Sequence, residues 1–513
     1  MSIVQNVMKA IVRLMPDAAP DALLSAHGSV GQPMERRDGT LKVTGQARFA
    51  AEVPAENLAY AALRYSSIAR GRITAIDTAA AEAAPGVVLV MTHHNMPRLT
   101  APPLMNADPK GAAASSLPVM QDAFIHWNGQ PVALVLAETQ EQADHAASLI
   151  RFDFAAQAAA TSFDHARGRA HAPAAILGEP PTLAVGEAEK ALAGAAHSVD
   201  IRFRTPRHNH AAIEPHAVTV AWEGDALAVH DATQMLTLTR STMAVAFGIA
   251  EEKVRILSPF VGGGFGNKAV WNHHILAAAA AKLAKRPVRL ALTREGVFRA
   301  TGGRTPTVQR VALAADENGY LDALIHSGTA AMTTHNDCPE QFTFPARHLY
   351  AAKSLLLEQK IAEMDMVANT FMRAPGESIG TYALECAIDE LAEKLALDPI
   401  ELRRRIEPEK DPTSGLAFSA RHLVEAYAAG AEKFGWAERS PMPRARRDGE
   451  WLIGMGVATG TYPYYRMPGG AARIRITTDG RAVVQMAAHE MGMGTATAQA
   501  QHAAERLGLP LVT

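Results

Sequence analysis

Cysteine is nearly missing from the chain, with only Cys338 and Cys386 among 513 residues. That excludes a disulfide framework and any four-cysteine cluster within this polypeptide, so iron–sulfur centres, if the function uses them, sit on another chain. Each cysteine reads as a small buried hydrophobe, because neither lies in a motif that would make it a nucleophile. Aromatic residues amount to 6% and the net charge is −2, which favours neither disorder nor a nucleic-acid partner. Long apolar runs are also lacking: the richest, 275–284, is short and contains Lys282, so no membrane span is expected. Residues 1–15 place Lys9 and Arg13 among apolar residues at helical spacing, without the apolar stretch and cleavage site of an export signal. They read as a short amphipathic helix or a frayed tail.

What is present is a chain too long for one core, and the length suggests about three domains. Residues 1–33 read as tail and linker, and structure begins near Met34. Strands are expected at 42–49, 58–66, 87–92 and 130–137, a short helix at 77–84, and a helix at 139–150 with Thr139 as its N-cap and Glu141 in its first turn. Alternation of this kind makes 34–153 a compact α/β domain. The Ala-, Gly- and Pro-rich stretch 154–184 reads as a linker, with 156–160 a solvated crossing. A second domain covers 185–435 and a third region 436–513, giving a multidomain α+β or α/β protein.

The densest glycine signal lies in Ser258-Pro259-Phe260-Val261-Gly262-Gly263-Gly264-Phe265-Gly266-Asn267-Lys268, between a strand at 253–257 and an alanine-rich helix at 273–285. Glycines between a strand and a helix can cradle an anion, since backbone N–H groups and a helix N-terminus can face it. The P-loop and the dinucleotide fingerprint both require Gly where Asn267 stands, so the loop is neither. A tight ligand-free connection is the plain alternative. Lys268 is a candidate either for neutralising a phosphate or for capping the turn.

Other stretches carry polar groups at strand and helix ends. Thr233-Gln234 ends a strand at 226–231, where an amide can donate a hydrogen bond without adding charge. His208, His210, Glu214 and His216 invite a metal reading, but Glu214-Pro215 disfavours a shared helical face, and pairing with the strand 217–222 is simpler. Arg373, in Met372-Arg373-Ala374-Pro375-Gly376-Glu377, sits on a rigid turn before a long helix read over 382–406, interrupted near Asp398-Pro399. Strands at 471–477 and 483–488, then His489-Glu490-Met491-Gly492-Met493-Gly494-Thr495 and a helix at 496–507, repeat the strand–glycine–helix pattern.

Val261 to Lys268, with Thr233-Gln234 before it and Phe371 to Glu377 after it, resembles the large molybdopterin-binding subunit of the xanthine dehydrogenase and aldehyde oxidase family. The arginine segment looks most like the bacterial aldehyde oxidoreductases, and the match runs in family order along almost the whole chain. The resemblance implies a hammerhead-like N-terminal domain followed by molybdopterin-binding domains. It also implies molybdenum held by the pterin dithiolene and by no protein side chain, the cytosine dinucleotide being one candidate form of the cofactor. Cofactor contacts are implied for Gln234, Gly263, Gly264, Phe265, Gly266, Arg373, Gly492, Met493 and Gly494, with Gln234 facing an oxygen on the metal. Met493 stands where many relatives have Gln, leaving backbone N–H contacts there.

The family's general-base Glu lies beyond the segment matched by Thr513, so no catalytic residue is assigned, and the second molybdopterin-binding domain is expected to be incomplete. The chain read alone is expected to be inactive. The implied partners are an iron–sulfur subunit and an FAD subunit, and the implied substrate is a small aldehyde, aromatic ones included, or a nitrogen heterocycle. Ala269 stands where purine-oxidising relatives carry Glu, which argues against xanthine. The alternative is a non-catalytic remnant or binding module that keeps its subunit contacts. Localisation is expected to be cytoplasmic, or periplasmic if a signal-bearing partner carries the chain.

Overall fold

The computed structural model describes residues 30–462, 470–486 and 489–511. The helix expected at 1–15, nearly all of the tail 1–33, and Ala487, Ala488, Val512 and Thr513 lie outside the described residues. The first region supplies strands Ala59–Tyr65 (β1), Gly71–Asp77 (β2), Val87–Thr92 (β3), Phe124–Ile125 (β4), Pro131–Ala137 (β5) and Arg151–Ala156 (β6). The run 131–137 has no polar interruption, and every residue of β5 is buried between β1 and β3. A continuous apolar run is what a strand covered on both faces requires. Thr139 caps the helix Gln140–Leu149, its side chain accepting from Gln142 N at 3.3 Å.

The middle of the chain adds Thr182–Val185 (β7), His197–Thr205 (β8), Ala217–Glu223 (β9), Ala226–Asp231 (β10), Val254–Leu257 (β11), Val288–Ala291 (β12), Thr307–Ala315 (β13), Leu321–Met332 (β14) and Ala352–Glu363 (β15). Two of these strands decide the architecture. β12 pairs in parallel with β1 through Ala59–Val288 and Ala61–Leu290, producing one seven-stranded sheet in the order β11-β10-β9-β12-β1-β5-β3. The segments 34–153 and 185–435 therefore share a sheet and a core. Against it lies the helix Asn272–Ala284, in which 272–281 are all buried. A helix apolar all round is a buried helix, and the alanines at 277–281 let its backbone sit close to the strands.

A second sheet, β7-β15-β14-β13-β8, carries the helix Glu377–Lys394 on one face and Ala188–Gly194 on the other. The stretch 154–184, read as a linker, holds the end of β6, a helix at Phe163–Ala166 and the start of β7, while 155–158 are exposed as a crossing would be. The helix expected over 382–406 starts earlier and is two helices, Glu377–Lys394 and Pro399–Arg405. Asp398 begins the second by accepting from Ile400 N at 2.8 Å and Glu401 N at 3.3 Å, with proline at the first helical position.

The strand expected at 42–49 is absent. Residues Gly39–Val43 form a helix that Gly45, at φ +70°, closes in a turn, with Gln46 N donating to Leu41 O at 2.8 Å. The alternating pattern there does not report burial, since Val43 is 86% exposed. The last region forms two hairpins, Arg446–Asp448 (β16) with Trp451–Ile453 (β17) and Ala472–Ile476 (β18) with Ala482–Met486 (β19), then the helix Thr495–Leu507. It is tied to the middle region by Thr459, whose N–H donates to the buried Glu385 carboxylate at 2.7 Å; Arg403 neutralises that carboxylate at 2.8 Å.

Candidate functional site

The loop Gly262–Gly266 is the meeting point of three other segments. Gln234 N donates to Lys268 O at 2.9 Å, and the Gln234 side-chain oxygen accepts from Gly266 N at 2.9 Å and Lys268 N at 3.2 Å. With its oxygen engaged twice, the amide has its NH2 left to donate. Arg373 N donates to Phe265 O at 2.9 Å, and Thr370 Oγ1 to Gly266 O at 3.2 Å. Glu214 closes the third side, its carboxylate accepting from Gly262 N at 2.6 Å and pairing with Lys268 Nζ. Gln234, Gly263, Gly264, Phe265, Gly266 and Arg373 are thus brought together from stretches far apart in sequence.

Close approach explains the glycines. A Cβ at Gly262 would strike Glu214, one at Gly264 would strike the Gln234 amide, and one at Gly266 would strike the Phe371 carbonyl. Gly263 and Gly266 also have φ of +93° and +103°, and Phe265 adopts +56°, where a non-glycine residue is strained. Its ring is 47% exposed, open to the space the segments enclose.

Part of the expected anion cradle is used within the protein itself. The N–H groups of Gly262, Gly266 and Lys268 are already taken by Glu214 and Gln234. The helix N-terminus is also elsewhere: 269–271 run beside 112–114, Val270 N donating to Ala112 O at 3.0 Å, and the helix starts at Asn272 under the His274 imidazole, which accepts from Trp271 N at 3.2 Å. Lys268 is 1% exposed and paired with Glu214, so it caps the loop and does not present charge to a phosphate. Burial lowers its pKa, opposed by Glu214.

Three residues that sequence reading missed hold the Arg373 turn. Buried Arg304 donates to Met372 O at 2.5 Å, Arg373 O at 2.7 Å, Ala374 O at 3.2 Å and Ser378 Oγ at 2.9 Å. Glu340, 3.3 Å from Arg304 Nε, accepts from Gly376 N at 2.8 Å, and Gln341 Nε2 donates to Pro375 O at 2.8 Å. Burial lifts the Glu340 carboxyl to about 7, against the pull of Arg304. The available signal was Gly302-Gly303 before Arg304, a glycine pair that lets backbones approach. The Arg373 side chain itself is exposed.

The histidines that invited a metal reading divide. His210 Nε2 lies 2.6 Å from Phe371 O, while His216 packs behind the loop with its Nε2 3.2 Å from Asn267 O, beside His273 and His274. His274 reaches Asp231 at 2.9 Å. Burial depresses His210 to about 4 and His216 to about 3, and lowers His273 as well, so all three are neutral near pH 7. Among the described residues no group of His, Cys, Asp or Glu is arranged to hold a metal ion.

The second loop joins the first through His489, whose Nε2 accepts from Leu236 N, two residues after Gln234, at 2.8 Å. Its own N–H groups are also occupied: Glu490 accepts from Gly492 N at 2.8 Å, Gly494 N at 3.0 Å and Ala496 N at 3.2 Å, and Arg36 pairs with it at 3.2 Å. Gly492 and Gly494 have φ of +105° and +85°, and Met493 is 63% exposed.

Comparison with known proteins agrees with this arrangement. Family models match in series: the aldehyde oxidase and xanthine dehydrogenase a/b hammerhead domain at 44–158, and molybdopterin cofactor-binding domains at 170–406 and 429–513. The aldehyde oxidoreductase molybdenum-binding subunit PaoC of Escherichia coli (strain K12) is 38% identical over 486 residues, covering 94% of this chain and 64% of that protein. The putative xanthine dehydrogenase molybdenum-binding subunit XdhA of the same organism is 28% identical, covering 93% of this chain and 66% of the relative. The chain therefore spans about two thirds of the length of these curated relatives. Quinoline 2-oxidoreductase from Pseudomonas putida 86 shares the fold at a TM-score of 0.77 and 23% identity, over 93% of this chain and 65% of that one. Aldehyde oxidoreductase from Desulfovibrio gigas does so at 0.73 and 21%, over 95% and 56%. With the hammerhead and both cofactor-binding models in order, and Gln234, Phe265 and Arg373 converging in space, the chain belongs to the xanthine dehydrogenase and aldehyde oxidase family.

Proposed function

We propose that this chain is the molybdopterin-binding part of a molybdenum hydroxylase that converts aldehydes, aromatic ones included, to carboxylic acids with water as the oxygen source. The observation that carries the reading is the pair of hydrogen bonds from Gly266 N and Lys268 N to the Gln234 oxygen, which leaves the amide NH2 as a neutral donor on the loop that carries the exposed Phe265. The residues fit the cofactor in kind: a neutral amide donor, an exposed ring, an exposed guanidinium, and no charged side chain inside the glycine loop. Molybdenum bound through the pterin, in the cytosine dinucleotide form, supplies the oxygen-transfer and two-electron chemistry. Gln234, Gly263, Gly264, Phe265, Gly266 and Arg373 bind and orient that group on one side, and Gly492, Met493 and Gly494 on the other. For Gly492 or Gly494 to contact it through backbone N–H, the Glu490 carboxylate must leave that N–H group.

Ala269 is 1% exposed, so no carboxylate stands at that position to orient a purine, and an aldehyde is the favoured substrate. The electrons leave through iron–sulfur and FAD partner subunits, in the cytoplasm or in the periplasm with a signal-bearing partner. No helix among the described residues is long and apolar enough to cross a membrane. The test is to purify the chain with the products of neighbouring genes and to assay molybdenum, pterin and aldehyde-dependent dye reduction. Stoichiometric metal and turnover are expected; absence of molybdenum and pterin in every combination refutes the reading.

A further inference from the structure

Arg304 is 4% exposed, and its backbone is wedged between two other segments. Its N–H and carbonyl pair with His208 at 2.9 and 3.1 Å, and Thr370 N donates to Gly303 O at 3.2 Å. A Cβ on Gly302 would strike the Ala368 carbonyl, and one on Gly303 the His208 carbonyl, so neither backbone can shift. From that fixed position the guanidinium reaches three consecutive carbonyls, Met372, Arg373 and Ala374, and the Ser378 hydroxyl.

The turn it grips is strained. Ala374 has φ +56° and Gly376 +80°, and Phe265, which accepts from Arg373 N, has φ +56°. Left-handed backbone at a non-glycine residue is unfavourable and persists only where surrounding contacts over-determine it. Arg304 supplies those contacts on the Arg373 side, with Glu340 as its counter-charge.

We propose that Arg304 is a positioning residue for the molybdenum site, holding the strained Arg373 turn against the glycine loop so that Arg373 and Phe265 keep one orientation toward substrate and cofactor. It rests on the function proposed above. Lysine cannot replace it, because the three carbonyls gather at Nη2 while the Ser378 hydroxyl faces Nη1 and the Glu340 carboxylate faces Nε, and one ammonium cannot occupy all three positions of the planar fork.

The test uses the full chain in its subunit complex, with Arg304→Lys as the main variant. Metal content and melting temperature are expected to stay near wild type. Aldehyde kcat per bound molybdenum is expected to fall about 10- to 100-fold at nearly unchanged KM, and amide exchange across 371–378 to rise about tenfold. Glu340→Gln moves both readouts in the same direction by less, and Arg310→Lys, a half-buried arginine of the second sheet paired with Glu189 and Asp200, moves neither. Unchanged kcat per molybdenum and unchanged exchange in Arg304→Lys overturn the proposal, as does a fall confined to metal content or melting. If Arg304→Met fails to fold, Arg304→Lys still decides. If the wild-type complex lacks molybdenum and turnover, the proposed function fails, while the exchange comparison still tests whether Arg304 holds the turn.

Discussion

The two glycine loops follow the same local pattern, strand then glycines then helix, yet they meet opposite surroundings. In the first, glycines 262, 264 and 266 each face a side chain or carbonyl that a methyl group would strike. In the second, no atom lies within 4 Å of where a Cβ would stand on Gly492 or Gly494, and only their positive φ calls for glycine. The first loop uses glycine for space as well as for the positive φ of Gly263 and Gly266, and the second for backbone conformation alone. A glycine motif therefore does not disclose which requirement it meets.

That contrast can be broken or sharpened by substitution. Gly266→Ala sets a methyl against the Phe371 carbonyl and is expected to lower stability by at least about 3 kcal/mol, because backbone on both sides must move. A melting curve within 1 °C of wild type would show that the close approach is not required. Lys268→Met leaves the Glu214 carboxylate buried without its cation and is expected to lose about 3 to 5 kcal/mol in denaturant unfolding. Adding Glu214→Gln should recover much of this, and a double variant no better than the single one contradicts the pairing.

Acid should separate the loops as well. His216 and His273 are buried and neutral, with pKa depressed below the ordinary 6.5, so the unfolded chain binds more protons below that pH. His216 alone costs about 3 kcal/mol of stability at pH 4.5 as pH falls from 6.5 toward about 3, and His273 adds to the loss in the same direction. At the second loop, Glu490 has its pKa lowered by Gly494, Gly492 and Ala496 N–H groups and by Arg36, against the opposing effect of burial, so its contribution is present above the usual carboxylate range and lost only as pH falls below it. Exchange at 262–268 should therefore accelerate before exchange at 492–496 during acidification; the reverse order would refute the assignment. Among the small effects, Gly494→Ala is expected to lose about 1 to 2 kcal/mol from its φ alone. Exposed Met493→Gln should stay within about 0.5 kcal/mol on thermal unfolding.

Much of the secondary structure was legible because periodicity and end signals are local. Val87–Thr92 and Ala226–Asp231 form as read, and Thr139 caps its helix. The segments of Gln234, Phe265 and Arg373 were legible as motifs, since each residue has a distinctive neighbour, and the fold brings the three together. What escaped were residues whose roles depend on distant partners. Arg304 looks like a surface arginine until Met372 to Ala374 fold over it, and Lys268 looks available for a phosphate until Glu214, 54 positions earlier, covers it.

The sequence by itself determined the family and the order of its cofactor-binding segments, because both rest on residue type and short-range spacing. Only the tertiary structure decided that β12 joins β1 to make the first two regions one sheet, that the N–H groups of Gly262 and Gly266 are filled by Glu214 and Gln234, and that Arg304 holds the Arg373 turn. The physical reason is common to all three: a strand edge, an N–H group or a buried charge is satisfied by whatever the fold brings beside it, and that partner lies far away along the chain.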